Sequence, residues 1–246
     1  MRVALAFFGL PRRSDLSFPS IERRLIEPIA ACAELHVRYH LYRQDRVVNP
    51  RNEEDHAMRE ADYAPFLQFP GVQVPPPAEP SDRLRRLRAH GDAWANGFVS
   101  LRNLVQLESL LAVTQAVAEL VPDVVLFARP DLLYHDAVTE TMLEEGARSP
   151  DTVAVPAWES WGGCNDRLAL AGAGAFRAYG GRLLLADHYC ETRQQPLHAE
   201  KLLHHALRFA GIAARPLALR ASRVRGDGRV EIEDFGGRVT PLATEG

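Results

Sequence analysis

The stretch Asp123-Val124-Val125-Leu126-Phe127-Ala128-Arg129-Pro130-Asp131 carries the most information about the fold of this chain. Its apolar run, residues 124–127, is typical of a strand that is covered on both faces of a parallel sheet. Pro130 cannot donate to a sheet ladder, and the residue before a proline avoids helical geometry, so we expect the strand to end there. Asp131 is then presented at the carboxyl edge of the sheet, where open α/β sheets bind ligands. An acid at this edge can hold a divalent cation or a ribose hydroxyl, or it can be an ordinary turn residue that caps the next segment.

The length, composition, net charge and cysteine count limit the class of protein. A length of 246 residues allows one large α/β domain or two small ones, and 46% hydrophobic residues are enough for a core. The formal charge of -3 gives no signature of nucleic-acid binding, so no nucleic-acid partner is expected. No apolar stretch reaches the roughly eighteen residues of a membrane span, which predicts a chain without a transmembrane segment. Three cysteines form neither a disulfide framework nor a paired metal motif, which favours the cytoplasm.

The chain opens with the pattern strand, helix, strand. Residues 3–8 form an apolar run, and residues 21–33 are predicted to be helical, with Ser20 as the N-cap and a kink at Pro28. Residues 35–41 alternate between polar and apolar side chains, which indicates a second strand. The first apolar run is short for a signal peptide, so we interpret it as the first strand. This unit implies a parallel pair joined by a right-handed crossover.

The rest of the chain continues the α/β pattern after one polar and proline-rich excursion. The excursion is expected to be a loop or extended segment over 42–81 with a short strand at 72–74. Helices are expected over 98–120, 137–145, 173–179, 181–190 and 197–210, and strands at 152–156, at 168–171 and, as one or two strands, within 212–224. The chain is expected to end with a hairpin turn at 225–229 and a frayed tail at 240–246. The sequence thus predicts an α/β fold with a mostly parallel central sheet flanked by helices.

Four separated segments occur in an order that resembles a known group of proteins. They are residues 7–12, the helix that starts with residues 96–103 and leads to residues 126–134, residues 155–156 followed by 162–169, and residues 198–203. This ordered set resembles bacterial glycosyltransferase-like proteins of surface-polysaccharide synthesis, which have a GT-A (nucleotide-diphospho-sugar transferase) fold. In that group an Arg-x-Asp segment follows the central strand, a Gly-x-x-Asn-Asp-Arg-Phe-like segment follows the next one, and a helix containing a glutamate comes later.

The similarity covers residues 2–215, and its implications concern the whole chain. It implies a single GT-A-like domain over residues 1–246. Residues 1–135 would form a nucleotide-sugar-binding half, residues 136–225 an acceptor-binding half, and residues 226–246 a hairpin and tail.

The resemblance also implies a donor site. Most GT-A enzymes neutralise the departing diphosphate with Asp-x-Asp and a divalent cation that acts as a Lewis acid. Here Arg129-Pro130-Asp131 stands at that position, so one carboxylate has become a guanidinium. Asp131 would bind Mn²⁺ or Mg²⁺, which prefer oxygen ligands, or a ribose hydroxyl. Alternatively, Arg129 itself would pair with phosphate, or would form only a structural ion pair.

Two residues of the first loop complete the expected donor site. Gly9 permits a close approach of the nucleotide base and ribose to the backbone. Arg12 would contact the diphosphate, and Arg13 is a weaker candidate for the same contact. The alternative for both arginines is a solvated basic turn.

The expected acceptor side lies in the loop that contains Trp158 and Trp161. Aromatic faces stack on sugar rings, while Asn165 and Asp166 carry groups that hydrogen-bond to hydroxyls. Asp166 would act on the donor or acceptor sugar, or would only form an Asx turn. Glu200 is the candidate general base of an inverting transfer, or a first-turn glutamate that stabilises the helix dipole.

The resulting hypothesis is a glycosyltransferase that moves a sugar from a nucleotide-sugar donor to a glycan, a lipid-linked sugar or a small molecule. The alternative is a noncatalytic nucleotide-sugar or glycan-binding protein on the same scaffold, which the loss of the second aspartate favours. A nucleotidyltransferase is disfavoured because residues 9–13 contain only one glycine. The expected location is the cytoplasm, with a peripheral position at the inner membrane face as the alternative.

Overall fold

The computed structural model describes residues 1–49, 53–77, 81–93 and 99–236 of the chain. Within these residues the strands are β1 (Arg2–Gly9), β2 (Glu34–Tyr42), β3 (Arg46–Asn49), β4 (Glu54–Ala57), β5 (Gly71–Val74), β6 (Val124–Ala128), β7 (Leu132–Tyr134), β8 (Thr152–Pro156), β9 (Leu168–Gly172), β10 (Ala213–Leu217) and β11 (Ala221–Arg223). The helices are α1 (Ser14–Ile21), α2 (Glu27–Cys32), α3 (Glu60–Tyr63), α4 (Asp82–Arg88), α5 (Val99–Ala118), α6 (Glu140–Arg148), α7 (Phe176–Gly180), α8 (Ala186–Arg193) and α9 (Ala199–Phe209).

Seven of these strands form the central sheet, in the order β10-β8-β9-β6-β1-β2-β5. β9 pairs antiparallel with both of its neighbours, β6 and β8, and the other pairings in the sheet are parallel. Two small antiparallel pairs, β3 with β4 and β7 with β11, lie outside this sheet. The expected α/β fold with a mostly parallel sheet flanked by helices is therefore confirmed.

The central strand β1 shows why the sheet is buried on both faces. Its side chains from Val3 to Phe8 are inaccessible to solvent, and they alternate between two separate cores. Ala4, Ala6 and Phe8 face the core built with α5 and the helices α7 to α9. Val3, Leu5 and Phe7 face the core built with α1, α2 and α6. A continuous apolar run is what such a doubly covered strand requires.

The opening strand, helix, strand unit forms as expected, with β1 and β2 parallel and in register from Arg2 opposite Glu34 to Gly9 opposite Leu41. The prediction that Ser20 is the N-cap is wrong, because the helix begins at Ser14 and the Ser20 hydroxyl donates to the carbonyl of Ser17. The helical path then passes through a π-helical turn over Glu22–Ile26. The helix therefore starts a full two turns earlier than the apolar pattern indicates.

Pro28 lies in the first turn of α2, which continues the helical path from the π-helical turn, so its missing N–H removes a helix hydrogen bond. The carbonyl of Arg24, four residues earlier, cannot accept a hydrogen bond from Pro28. It accepts the N–H of Val138 instead, at 2.9 Å. The proline is thus accommodated by a contact from a distant loop.

The later elements match their predictions in type, with shifts at several ends. The helix expected over 137–145 is α6, which starts at Glu140 because the Thr139 hydroxyl caps it by accepting the N–H of Met142. The segment expected to be loop or extended over 42–81 contains the β3–β4 pair, the short helix α3, and β5, which forms the short strand expected at 72–74. The turn at 225–229 is confirmed by the antiparallel bridge between Val224 and Val230. The expected helix start at 96–98 and the tail at 240–246 lie outside the described residues.

Among the residues that the structure describes, no helix combines the length and the apolarity that a membrane crossing needs.

Candidate functional site

The topology of the sheet creates a crevice beside β1. The chain passes from β1 to β2 on one side, and β6 pairs with β1 on the other side. Such a switch point leaves a gap beyond the carboxyl ends of the two central strands, and ligands of open α/β sheets bind there. β1 ends at Gly9 and β6 ends at Ala128, so the loops that follow these two residues form the walls of the gap.

A cleft of about 360 Å³ occupies this position, and we call it the switch-point cleft. It is lined by Gly9, Leu10, Arg12, Tyr42, Gln44, Val47, Val48, Asn49, Pro76, Val105, Gln106, Arg129 and Asp131. All four residues that the sequence assigned to the donor site, Gly9, Arg12, Arg129 and Asp131, are in this set. The cleft therefore brings together side chains that are more than a hundred residues apart in the chain.

Gly9 ends β1 in a backbone conformation that a side chain would oppose. Its φ is +100°, in the region that L-residues with a Cβ atom rarely adopt. Its N–H donates to the hydroxyl of Ser109 at 2.9 Å, and that hydroxyl donates to the carbonyl of His40 at 2.6 Å. Helix α5 thus joins the carboxyl ends of β1 and β2 through one serine, which fixes this wall of the cleft.

The loop after β6 is held by three neighbouring elements. The carbonyl of Pro130 accepts the hydroxyl of Ser17 from α1 at 2.8 Å, and the carbonyl of Arg129 accepts the hydroxyl of Tyr134 at 3.0 Å. The carbonyl of Asp131 accepts the N–H of Val224 at 2.9 Å. These contacts fix the backbone that presents Arg129 and Asp131 to the cleft.

The Asp131 carboxylate binds two guanidinium groups. Its Oδ1 accepts Nε–H of Arg129 at 2.9 Å, and its Oδ2 accepts Nη2–H of Arg129 at 2.7 Å. Oδ2 also accepts a hydrogen bond from Nη2 of Arg12. Burial by itself would raise the pKa of Asp131, but the charges of Arg129 and Arg12 lower it by more, so this pKa lies well below its usual range. The carboxylate is therefore ionised at neutral pH.

The same carboxylate acts on its cationic neighbour. Burial lowers the pKa of Arg129, but the negative charges of Asp131 and, to a smaller extent, Asp166 raise it by more, so the net shift of this pKa is upward. The Asp131 charge also raises the pKa of the buried Tyr134 phenol, after burial itself, which is the larger cause. Arg129 stays charged and Tyr134 stays neutral over the whole physiological range.

Arg12 connects the Asp131 carboxylate to a second buried acid, Glu54 of β4. Its Nη1 donates to both oxygens of Glu54, at 2.8 and 3.0 Å. Glu54 also accepts from Nη1 of Arg225 and from the N–H of Gly226, each at 3.2 Å. The β3–β4 pair and the 225–229 turn are thus joined over the switch-point cleft by one carboxylate. The sequence analysis missed Glu54 and Arg225, because neither lies next to an apolar strand end.

Asp166 lies behind this group, facing a fully buried arginine. Its Oδ2 is 3.5 Å from Nη2 of Arg182, and its carbonyl accepts the hydroxyl of Tyr179 at 3.0 Å. The guanidinium of Arg182 lies 4.5 Å from the centre of the Tyr179 ring and donates from Nη1 to the carbonyl of that residue at 2.9 Å. Arg182, like Glu54 and Arg225, is not among the site residues that the sequence predicts. A single basic residue before three leucines was the only signal for it.

The expected acceptor residues lie outside the lining of the switch-point cleft. Trp158 is buried, its Nε1–H donates to the carbonyl of Leu219 at 3.1 Å, and Arg167 and Phe235 lie against its ring. Asn165 is also buried. Its amide donates to the carbonyl of Trp158 at 2.7 Å, and its Oδ1 accepts the N–H of Arg167 at 3.0 Å. This placement gives both residues a structural role and does not support their expected contact with sugar. Trp161 is half-buried.

Glu200 lies in the first turn of α9, as the sequence indicates. Its carboxylate is 3.2 Å from Nδ1 of His198, and its carbonyl accepts the N–H of Cys164 at 3.0 Å. A Cβ atom on Gly163 would lie 2.1 Å from that carbonyl oxygen, so only glycine allows the loop to approach α9 this closely. The loop after β8 is thereby fixed to the helix that carries the candidate base.

The fold and the switch-point cleft define an α/β protein with a charged cleft at the carboxyl edge of its sheet. No protein family model matches the sequence, and neither does any curated protein. Among solved structures, the chain is similar to the crystal structure of the galactosyltransferase LgtC in complex with donor and acceptor sugar analogs. The two share 12% sequence identity with a TM-score of 0.46, over 88% of this chain and 73% of that one. A likeness of this degree assigns no residue role and no activity to this chain.

Proposed function

We propose that this protein is a glycosyltransferase that binds a nucleotide-sugar donor in the switch-point cleft and moves the sugar to a hydroxyl of a glycan, a lipid-linked sugar or a small molecule. One observation carries the proposal. Gly9, Arg12, Arg129 and Asp131, which the sequence assigned to a donor site, line a single cleft at the carboxyl edge of β1 and β6. The location fits a nucleotide, since this edge is where α/β sheets hold nucleotides.

The chemistry requires two kinds of group. The acceptor oxygen forms a bond to the anomeric carbon of the sugar, while the bond from that carbon to the diphosphate breaks. The leaving diphosphate gains negative charge, which Arg12 and Arg129 are positioned to stabilise as fixed donors. The proton of the acceptor hydroxyl passes to a carboxylate, for which Glu200 is the candidate in an inverting transfer.

The remaining assignments follow from the hydrogen-bonding and stacking capacity of the side chains. Asp166 would accept a hydrogen bond from a sugar hydroxyl, and Trp161 would contact the acceptor. We place the reaction in the cytoplasm, with the inner face of the membrane as the alternative where the acceptor is lipid-linked.

The test is release of nucleotide from the donor. The purified protein is incubated with UDP-, GDP-, CMP- and dTDP-sugars without an acceptor, and the freed nucleotide is measured. Glycosyltransferases slowly transfer sugar to water, so one nucleotide class should be released by the protein and not by the Glu200→Gln variant. Binding of a nucleotide sugar without any release would instead support the noncatalytic binding protein, which the replacement of one Asp-x-Asp carboxylate by Arg129 favours. Neither binding nor release across the panel would refute both.

A further inference from the structure

The carboxylate expected to bind a metal is already hydrogen-bonded by two arginines. Both oxygens of Asp131 accept hydrogen bonds from Arg129, and Oδ2 accepts a further one from Arg12. Asp131 is 2% exposed, so water and ions approach it only through the cleft. A divalent cation at this carboxylate would lie beside two guanidinium groups, whose positive charges oppose it.

The surroundings do not fit Mn²⁺ or Mg²⁺. These ions take several oxygen ligands with free lone pairs, and positive charges beside the ligands oppose them. Glu54, the other carboxylate joined to Arg12, is occupied by Arg225 and the N–H of Gly226. Among the described residues, no group of three or more His, Cys, Asp and Glu side chains is arranged to hold a metal ion. The charged side chains that line the switch-point cleft are two arginines and one aspartate, so their net charge is positive.

The guanidinium groups keep donors for a ligand. A guanidinium has five N–H donors, and Arg129 uses those of Nε and Nη2 for Asp131. Arg12 uses Nη1 for Glu54 and Nη2 for Asp131, and each of these nitrogens carries two N–H groups. Both side chains line the cleft and are held in place before any ligand binds. Fixed donors of this kind stabilise phosphate oxygens without a cost of reorganisation.

We propose that the donor diphosphate is bound by the guanidinium groups of Arg12 and Arg129 without a divalent cation, and that Asp131 is the positioning residue that holds both guanidinium groups towards it. This inference rests on the proposed function and specifies how that site handles charge. The negative charge of Asp131 thus orients cations where other enzymes use such a carboxylate to hold a metal.

The test measures affinity in the presence and absence of metal. Isothermal titration calorimetry with UDP, GDP, dTDP and CMP, and with inorganic pyrophosphate as a base-free probe, is run once in Mn²⁺ and once in EDTA. Retained affinity in EDTA is expected for whichever nucleotide binds. Arg12→Gln and Arg129→Gln should each weaken that binding by about tenfold or more, because each removes charge-assisted hydrogen bonds to phosphate.

Arg13 provides the matched control. It is the neighbour of Arg12, but it donates to Asp15 and does not line the cleft. Arg13→Gln should therefore leave the affinity unchanged, and an equal loss in this variant would mean that only the general basic charge of the loop matters. The milder variant Arg129→Lys keeps the charge and loses the planar fork, so a smaller loss is expected if the larger change disturbs folding.

The outcomes separate the two proposals. Nucleotide binding that is seen in Mn²⁺ and disappears in EDTA would overturn this inference and leave the glycosyltransferase proposal standing. An absence of binding under both conditions would overturn both. Asp131→Asn gives a second readout that leaves both arginines in place. It should weaken binding equally in Mn²⁺ and EDTA, whereas loss of a metal ligand would remove only the part that depends on Mn²⁺.

Discussion

Gly9 shows how far a single residue at the site could be predicted. The sequence indicates a glycine where a strand ends, and the structure adds the reason, which is a φ of +100° beside the Ser109 hydroxyl. Arg12, Arg129 and Asp131 were predictable for the same local cause, because each follows a strand whose end the sequence marks. What the sequence did not contain was that the two arginines share one carboxylate.

Replacement of Gly9 by alanine tests this strand end. We expect Gly9→Ala to lower the free energy of unfolding by about 1–2 kcal/mol, because a Cβ atom opposes a positive φ. Equilibrium urea unfolding followed by circular dichroism measures the change. Gly236→Ala is the control, since no atom lies within 4 Å of its added Cβ and its φ is not positive. Equal stability of the two variants would contradict the assigned backbone conformation.

The pair of Arg182 and Asp166 is the second residue-scale case. Arg182 is inaccessible to solvent, and its charge faces the mostly buried carboxylate of Asp166. Arg182→Met should cost about 3 kcal/mol, because it leaves a buried carboxylate without its partner. Adding Asp166→Asn should restore part of this loss, with a coupling energy of about 1 kcal/mol or more in a double-mutant cycle of unfolding free energies. The same cycle at the exposed pair of Arg148 and Glu144 serves as the comparison and should give a much smaller coupling.

At the scale of elements, strands that are buried on both faces were predicted well and short polar elements were not. β1, β6 and β9 are apolar runs whose type needs no tertiary information. β3 and β4 carry mostly polar side chains and are stabilised by ion pairs with residues far away in the chain, which no local pattern reveals. The Asn165 side chain was misassigned for a related reason. Its amide is equally suited to a sugar and to its own backbone, and the structure uses it for the backbone.

The β3–β4 pair yields a prediction of its own. Glu54 holds Arg12 and Arg225 inside the protein, so Glu54→Gln should lower the free energy of unfolding by about 2–3 kcal/mol. It should also weaken nucleotide binding, since Arg12 loses one of its two anchors. Thermal and urea unfolding, together with calorimetric titration of the nucleotide, measure both effects. Asp55→Asn removes the next carboxylate of the same strand, which is exposed and pairs with Arg46, and it should change neither quantity.

At the scale of the whole molecule, the mostly parallel sheet flanked by helices follows from patterns that the sequence carries, while the order of the strands, the orientation of β9 and the charge network do not. An apolar run of residues is equally compatible with a parallel and an antiparallel strand, so only its connections decide that β9 runs antiparallel to its neighbours. The network depends on contacts between segments far apart in the chain, such as Glu54 with Arg225 at 3.2 Å. Long-range pairing of arginines and carboxylates has no sequence period by which it could be recognised.

This network determines how stability should depend on pH. Several carboxylates that pair with arginines have lowered pKa values, among them Asp15, Asp55, Asp131, Asp136, Asp187, Glu231 and Glu233. For Glu233, burial opposes the shift, but Arg167 and Arg223 lower the pKa to about 2. Glu108 shifts in the opposite direction, because burial raises its pKa. Because more carboxyl pKa values are lowered than raised, we expect the free energy of unfolding to fall as the pH decreases.

A carboxyl group with a lowered pKa in the folded state binds fewer protons there than in the unfolded state at acidic pH. Its stabilising contribution is therefore complete above the ordinary carboxyl pKa of about 4 and is lost as the pH falls through the folded value. We expect the free energy of unfolding from urea titrations to change little between about pH 7 and 5 from these groups, and to fall steeply below about pH 4. Asp131→Asn should be less stable at neutral pH and should lose less on acidification, because the variant lacks the buried carboxylate that must be protonated. A variant that loses as much as the original protein over the same range would show that Asp131 contributes nothing to this pH dependence, and its pairing with Arg12 and Arg129 would then not be what holds the cleft together.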